Sequence, residues 1–132
     1  MALQYGLTIN NARLDAIETT IGASAKLRIY TGSAPANCAA AATGTLLVEM
    51  VLPSDWMAAA SGASKVKAGT WTGTASGTGT SGYFRIVDNA GAVAGIQGTA
   101  GMSGTDLILN NSSLATSQTV TVDTFSLSTG NV

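Results

Sequence analysis

The segment that most restricts the fold of this chain is residues 81–99, SGYFRIVDNAGAVAGIQGT. Its YFRIV part has the period-two alternation of a strand, with Phe84 and Ile86 on one side. The letters DNAG that follow favour a turn, and residues 92–99 continue as a second extended segment. The segment therefore predicts a central β-hairpin in which Phe84 and Ile86 face the interior and Arg85 is a surface or interface charge.

Other short extended segments surround this hairpin and are separated by glycine-rich turns. Further strands are predicted at residues 26–31, 45–52, 65–72, 106–110 and 118–127. Pro53 ends the second of these because proline has a fixed φ and no N–H for a ladder. The spacing predicts an all-β fold, an antiparallel β-sandwich of jelly-roll or immunoglobulin-like type. Residues 32–44 and 73–82 are predicted to be surface loops.

A length of 132 residues fits one folded domain preceded by a small N-terminal unit. We assign residues 1–22 to an N-terminal arm with one short helix, and residues 23–132 to a single β-sandwich domain. Residues 1–9 are apolar and are predicted to form an arm or an edge strand, an element that often pairs with another subunit. The helix is expected to begin at Asn10 or Asn11, whose side chain can accept hydrogen bonds from the first turn.

An apolar stripe at Leu14, Ile17 and Ile21 follows at spacings of three and four, and Gly22 is placed to end the helix. A helix of about 10 residues is marginal in isolation, so the stripe must pack against something. Two alternatives stand at this point: the helix packs on its own sheet, or it docks on a neighbouring subunit.

Residues suited to catalysis are scarce. Histidine is absent, which removes the commonest general base and metal ligand. Ser64 and Lys65 are neighbours in a glycine-flanked turn, a setting that does not desolvate the lysine. Asp15 and Glu18 share one short helix and are interpreted as solvated charges rather than a glycosidase pair. We predict no catalytic residues and no enzyme activity.

Cofactor motifs are equally weak. Asp88 and Asp106 supply oxygen atoms in predicted turns, but their surroundings match no calcium loop, and Asp favours turns for backbone reasons. The segment GTASGTGTSG lacks the Lys-Ser/Thr pair of a phosphate loop. Cys38 is the single cysteine and is interpreted as an inert loop thiol. The sequence predicts no cofactor and no metal.

The low charge of the chain bears on its partners. Charged residues are 10% of the sequence with a net charge of −1, against about 25% charged residues in an average soluble domain. A surface of small uncharged residues suits permanent assembly. Without a basic stripe, nucleic acid is not expected as a partner. The apolar run at residues 46–52 contains Glu49 and is too short to span a membrane. The N-terminus has no secretory signal pattern, which predicts synthesis and retention in a cytoplasm.

The aromatic residues divide into two groups. Trp56, Trp71 and Phe125, with the hairpin aromatics, are expected in the core. Tyr5, on the arm, and Tyr30, on the polar side of a strand, are expected at a subunit interface. The predicted partner interface consists of Tyr5, Leu7, Leu14, Ile17, Ile21 and Tyr30.

Several segments, taken in order and spacing, resemble one protein family: LDAIETTIGASAKLRIYTGSAPANCAAAATGTLL, LPSDWMAAASG, GTASGTGTSGYFRIVD, IQGT and TVDTF. From about residue 11 to residue 127 the chain resembles the capsid decoration, or cement, proteins of tailed bacteriophages, as in Bordetella phage. It departs from that pattern at residues 73–82, which contain no acidic residue, so the outermost loops are expected to differ.

The resemblance implies a jelly-roll sandwich that forms a homodimer or homotrimer. It implies a structural virion protein, made in the host bacterial cytoplasm, that binds phage major capsid protein on the outer surface of an icosahedral head and cements the contacts between capsid subunits. An alternative from another class is a jelly-roll receptor- or carbohydrate-binding module of a tail fibre or baseplate. That alternative requires an exposed aromatic residue beside polar groups.

Overall fold

The computed structural model describes residues 3–129, so the ends of both predicted units, residues 1–2 and 130–132, lie outside the described part of the chain. One α-helix and ten β-strands lie within residues 3–129. They are α1 (Leu7–Ile21), β1 (Lys26–Tyr30), β2 (Leu46–Val51), β3 (Ser64–Val66), β4 (Thr72–Thr74), β5 (Gly79–Thr80), β6 (Tyr83–Val87), β7 (Ala94–Gly101), β8 (Leu107–Leu109), β9 (Ser113–Leu114) and β10 (Thr119–Ser128).

Eight strands form one curled sheet in the order β2-β1-β6-β7-β8-β10-β3, with β4 also paired to β10, and β5 pairs with β9 separately. The predicted all-β, sandwich-like fold class with one short N-terminal helix is confirmed. The sheet is mixed rather than purely antiparallel because β7 and β8 run parallel. Asp106, just before β8, accepts hydrogen bonds at Oδ2 from the backbone N and Oγ1 of Thr99 at 3.0 and 3.2 Å. These bonds fix the segment that connects β7 and β8 against β7.

The predicted central hairpin is confirmed as β6 and β7, which pair antiparallel. Its turn is held by Asp88 Oδ1, which accepts hydrogen bonds from the backbone N–H groups of Ala92 and Val93 at 2.8 and 3.2 Å. Gly91 supplies the positive φ of 74° that this turn requires. The N–H groups of Val93 and Ala92 lower the pKa of Asp88 because they stabilise its carboxylate.

The inner face of the sheet forms the core. Leu27 faces Ile86, and Ile29 faces Phe84, across the β1–β6 pair, and all four side chains are buried. The predicted core aromatics are also confirmed, with Trp56, Trp71 and Phe125 buried in the same cluster. The Phe125 ring lies 5.6 Å from that of Trp71 and 5.5 Å from that of Phe84, centroid to centroid, distances typical of favourable tilted and edge-to-face pairs.

The outer face of β1 and β6 is covered by residues 32–44, which were predicted to be a surface loop. The Tyr83 hydroxyl donates to Thr43 O at 2.6 Å and accepts from Thr43 N at 2.9 Å. The Tyr30 ring stacks on Tyr83 at 5.0 Å. Tyr30 is therefore buried, and the expectation of an exposed Tyr30 was wrong because a folded loop covers its side of the strand.

The helix begins earlier than predicted. Its N-cap is Gly6, which has extended backbone angles and makes no side-chain cap bond. Asn10 is inside the helix, and its Nδ2 donates to Tyr5 O at 3.2 Å. The prediction of a cap at Asn10 or Asn11 and of an arm up to residue 9 was thus wrong, whereas the predicted end at Gly22 is confirmed by its N–H bond to Glu18 O. No helix among the described residues is long and apolar enough to cross a bilayer.

Candidate interaction surface

A polar stripe on α1 fixes the helix against residues 57–63. Side chains at spacings of four and three lie on one helix face and accept hydrogen bonds from three backbone N–H groups. The bonds run from Ala63 N to Asn11 Oδ1 (3.0 Å), from Ala60 N to Asp15 Oδ1 (2.9 Å) and from Met57 N to Glu18 Oε2 (3.0 Å). Because each bond satisfies a backbone donor of an irregular segment, the helix and that segment stabilise one another.

The same face contacts Lys65, which is buried in β3, so the expectation that a turn leaves this lysine solvated was wrong. Lys65 is 2% exposed, and its Nζ lies 2.7 Å from Asp15 Oδ1, 3.0 Å from Glu18 Oε1 and 2.9 Å from Ala58 O. Its three donors are thereby all satisfied. The interpretation of Asp15 and Glu18 as solvated charges was incomplete: the Asp15 side chain is 47% exposed and that of Glu18 18%, but both carboxylates are also counterions of this ammonium.

The charges and hydrogen bonds of this cluster shift the pKa values of Lys65 and Asp15. Burial alone lowers the pKa of Lys65, but hydrogen bonds and charges from Asp15 and Glu18 outweigh that effect, so the pKa lies above its ordinary value. The hydrogen bond from Lys65, with a further one from the backbone N–H of Ala60, lowers the pKa of Asp15. The two carboxylates therefore favour the charged form of Lys65.

Apolar contacts complete the attachment of α1. Leu14 is buried under the helix, and Trp56 Nε1 donates to Gly22 O at 2.9 Å. Ile21 lies so close to Gly95 that a Cβ there would be 2.6 Å from Ile21 Cδ1. Two alternatives stood for the apolar stripe of α1: packing on the chain's own sheet or docking on a neighbouring subunit. Leu14 packs within its own chain, so the expectation that Leu14 contacts a partner was wrong.

A groove remains between the second half of α1 and the start of β7. It has a volume of about 280 Å³ and is lined by Ala16, Ile17, Thr20, Ile21 and Gly95. The side chains of Ile17 and Ile21 are partly exposed along it. These two predicted interface residues therefore retain apolar surface that a partner can contact.

Among the described residues, four of the eight exposed large hydrophobic residues lie near the start of the chain. Leu3 is 71% exposed, Tyr5 37%, Leu7 52% and Ile9 55%, and we call these four residues the N-terminal surface. The Arg13 guanidinium lies 4.9 Å from the centroid of the Tyr5 ring, a cation–π contact that orients this tyrosine. Several large apolar side chains exposed within one short segment make that segment a candidate contact region for another molecule.

The six predicted interface residues therefore separate into three groups. Tyr5 and Leu7 lie on the N-terminal surface, Ile17 and Ile21 line the groove, and Leu14 and Tyr30 are buried within the chain. Leu3 and Ile9 were not predicted as interface residues, although the apolar run that contains them was the available signal.

Two further observations on the described surface concern metal ions and aromatic residues. Among the described residues, no group of three His, Cys, Asp or Glu side chains is arranged to hold a metal ion. Within residues 3–129, Tyr5 is also the only exposed aromatic side chain. Comparisons with protein-family models, with curated proteins and with solved structures gave no match to this chain.

Proposed function

We propose that this chain is a structural virion protein that binds the outer surface of an icosahedral phage capsid and stabilises the contacts between major capsid protein subunits. The observation that carries the proposal is the exposure of the N-terminal surface, Leu3, Tyr5, Leu7 and Ile9. These residues lie just before α1 or in its first turn, and α1 itself is firmly attached to the domain. On this proposal the protein acts on the capsid as a homodimer or homotrimer and catalyses no reaction.

Rigid attachment of α1 supports a role in docking. The three backbone bonds and the Lys65 cluster hold the helix on the domain, so its first turn is presented in one orientation. Binding to a preformed surface loses less conformational freedom than binding through a flexible arm. Exposed apolar side chains in and just before the first turn of a fixed helix therefore suit a repeated lattice, where the same contact recurs at every site.

The thermodynamic mechanism is mass action. A protein that binds only the assembled shell stabilises it by RT ln(1 + [L]/Kd) at each site. The stabilisation free energy from weak contacts thus sums over many sites. The low charge content of the chain, 10%, also favours dense assembly because little electrostatic repulsion separates neighbouring copies. The resemblance to phage decoration proteins gives the capsid as the partner.

The carbohydrate-binding alternative has one candidate residue on the described surface, Tyr5. A sugar-binding platform needs an open aromatic ring, and the one exposed aromatic among residues 3–129, Tyr5, has the Arg13 guanidinium over its ring. Both tryptophans are buried in the core. We keep this alternative only as an outcome of the test below.

Co-sedimentation with capsids tests the proposal. Purified protein is mixed with expanded empty heads, stripped of decoration protein, from the phage that encodes the chain. We expect saturable binding to heads that weakens strongly in a Leu7→Ser/Ile9→Ser variant. Val66→Ser, at a similarly exposed apolar residue on β3, is the matched control and is expected to bind normally. Absence of head binding, together with binding to isolated tails or to glycans, contradicts the proposal.

A further inference from the structure

A row of polar side chains crosses the outer face of the sheet beneath residues 32–44. Arg28 is paired with Glu49 on β2 and with Arg85 on β6, and Arg85 is paired with Gln97 on β7. Two arginine residues are therefore direct partners across the β1–β6 pair. Like charges in that position destabilise a sheet unless other charges offset them.

The charge of Arg28 is offset, because its Nε donates to Glu49 Oε2 at 2.6 Å. The pKa of Arg28 is raised by this hydrogen bond to Glu49, which outweighs the opposing effect of burial.

The charge of Arg85 has no carboxylate partner within residues 3–129. Its Nε donates to Gln97 Oε1 at 3.1 Å, and its Nη2 donates to Asn37 O at 3.2 Å and Ala40 O at 2.7 Å. These acceptors are neutral, and Nη1 donates to no acceptor in the described chain. Arg85 is nevertheless only 6% exposed, which corrects its interpretation as a surface charge. A buried cation without a counterion is costly, so the site favours an anion.

A pocket of about 250 Å³ is lined by both of these arginine residues. Its lining includes Arg28 and Arg85 from the sheet, residues 38–42 from the loop, and Gly91. No acidic side chain is among the described residues that line it. The pocket therefore combines two guanidinium groups with a wall of alanine methyl groups and backbone.

We propose that this pocket binds a small oxyanion, such as inorganic phosphate or a small carboxylate, with Arg85 as the main ligand-binding residue and Arg28 as the second. With Nε and Nη2 of Arg85 bonded to Gln97 and to the loop carbonyls, its Nη1 is the group left to donate to an anion, and charge-assisted hydrogen bonds from guanidinium to carboxylate or phosphate are strong. Arg85 is held in place by Gln97 and by two loop carbonyls, so the donor is preorganised. The inference is independent of capsid binding.

Cys38 provides a built-in reporter, because it is the single cysteine and lines the pocket. The test measures the rate at which N-ethylmaleimide, a neutral reagent, modifies Cys38 in sodium phosphate, sodium acetate or sodium chloride at one pH and one ionic strength. Modification follows the fraction of empty pocket, so an oxyanion at about ten times its Kd slows the rate about tenfold. Chloride is expected to leave the rate unchanged.

Variants separate binding from loop stability. Arg85→Gln is expected to abolish protection, but it also removes bonds to residues 37 and 40. Arg28→Gln leaves those bonds intact and is expected to weaken protection. Lys67→Gln, a cation outside the pocket, is the matched control and keeps full protection. In the wild-type protein, phosphate is also expected to shift the Arg85 Nε–H NMR resonance in a saturable way.

Two results overturn the proposal. One is equal rates of Cys38 modification in phosphate, acetate and chloride. The other is an Arg85 Nε–H resonance that responds to phosphate no more than to chloride.

Discussion

Lys65 Nζ lies 2.7 Å from Asp15 Oδ1, a contact that joins β3 to α1 across 50 residues of sequence. Glu18 approaches the same ammonium at 3.0 Å. Since Lys65 is buried while Asp15 is partly exposed, the cluster is a buried cation covered by two helix carboxylates. It holds the helix that presents the N-terminal surface.

The first prediction compares the thermal stability of two variants at this cluster. Asp15→Asn/Glu18→Gln leaves a buried ammonium without a counterion and is expected to lower Tm more than Lys65→Met does. The reason is that Lys65→Met puts an apolar side chain in a buried position and leaves carboxylates that water can still reach. Thermal unfolding followed by circular dichroism measures both. A larger loss in Lys65→Met would show that the cluster is not organised around the lysine.

The second prediction concerns pH. The pKa of Asp15 is lower in the folded chain than its ordinary value, so its contribution to the free energy of unfolding is fully present above about pH 4 and is lost as pH falls through the folded pKa. The pKa of Lys65 is raised, so its contribution is present below about pH 10.4 and is lost as pH rises through the folded value.

Urea unfolding across acid pH measures this effect. In Asp15→Asn we expect a smaller decline in the free energy of unfolding below pH 4 than in the wild-type chain. An identical acid decline in the two proteins contradicts the assignment. Asp88 also has a lowered pKa, so part of the decline is expected to remain in the variant.

The third prediction concerns the cover over the outer face of the sheet. Tyr83→Phe removes the hydroxyl that bonds both backbone groups of Thr43 and keeps the ring that stacks on Tyr30. We expect a loss of about 1–2 kcal/mol in the free energy of unfolding and faster amide hydrogen exchange at Thr43. Tyr5→Phe, at an exposed ring, is the control and is expected to change neither. Unchanged exchange at Thr43 is the contrary result.

The fourth prediction separates the buried and exposed leucines of α1. Leu14→Ala is expected to cost about 2–5 kcal/mol in unfolding free energy because it opens a cavity under the helix. Leu7→Ala is expected to change stability by less than about 0.5 kcal/mol because the side chain is largely exposed, while reducing affinity for heads. Chemical denaturation and head binding on the same samples measure both. Equal destabilisation by the two variants would contradict the assignment of Leu14 as a buried residue and Leu7 as an exposed one.

The hairpin could be predicted from the sequence because its information is local. Alternation places Phe84 and Ile86 on one side, and the Asp88 turn is built from its own neighbours. The environment of Arg85 could not be predicted in the same way. Alternation gives the side of the sheet on which it lies, but its cover comes from residues 32–44, which carry no periodic pattern.

The candidate site was predictable only in part for a similar reason. Tyr5 and Leu7 are apolar residues near the start of the chain, and both are exposed. The stripe formed by Asn11, Asp15 and Glu18 was ambiguous because carboxylates on a short helix are usually hydrated. Their partners are the ammonium of Lys65 and backbone N–H groups of residues 57–63. These groups reach the helix only because of the path of that irregular segment, which the sequence does not reveal.

Cryo-electron microscopy of virions of the phage that encodes this chain tests the central claim most directly. The account predicts density for this protein on the outside of the head, where major capsid protein subunits meet, with the N-terminal surface, Leu3, Tyr5, Leu7 and Ile9, against the capsid. Density for the protein confined to the tail or baseplate, with heads that lack it, would contradict the account.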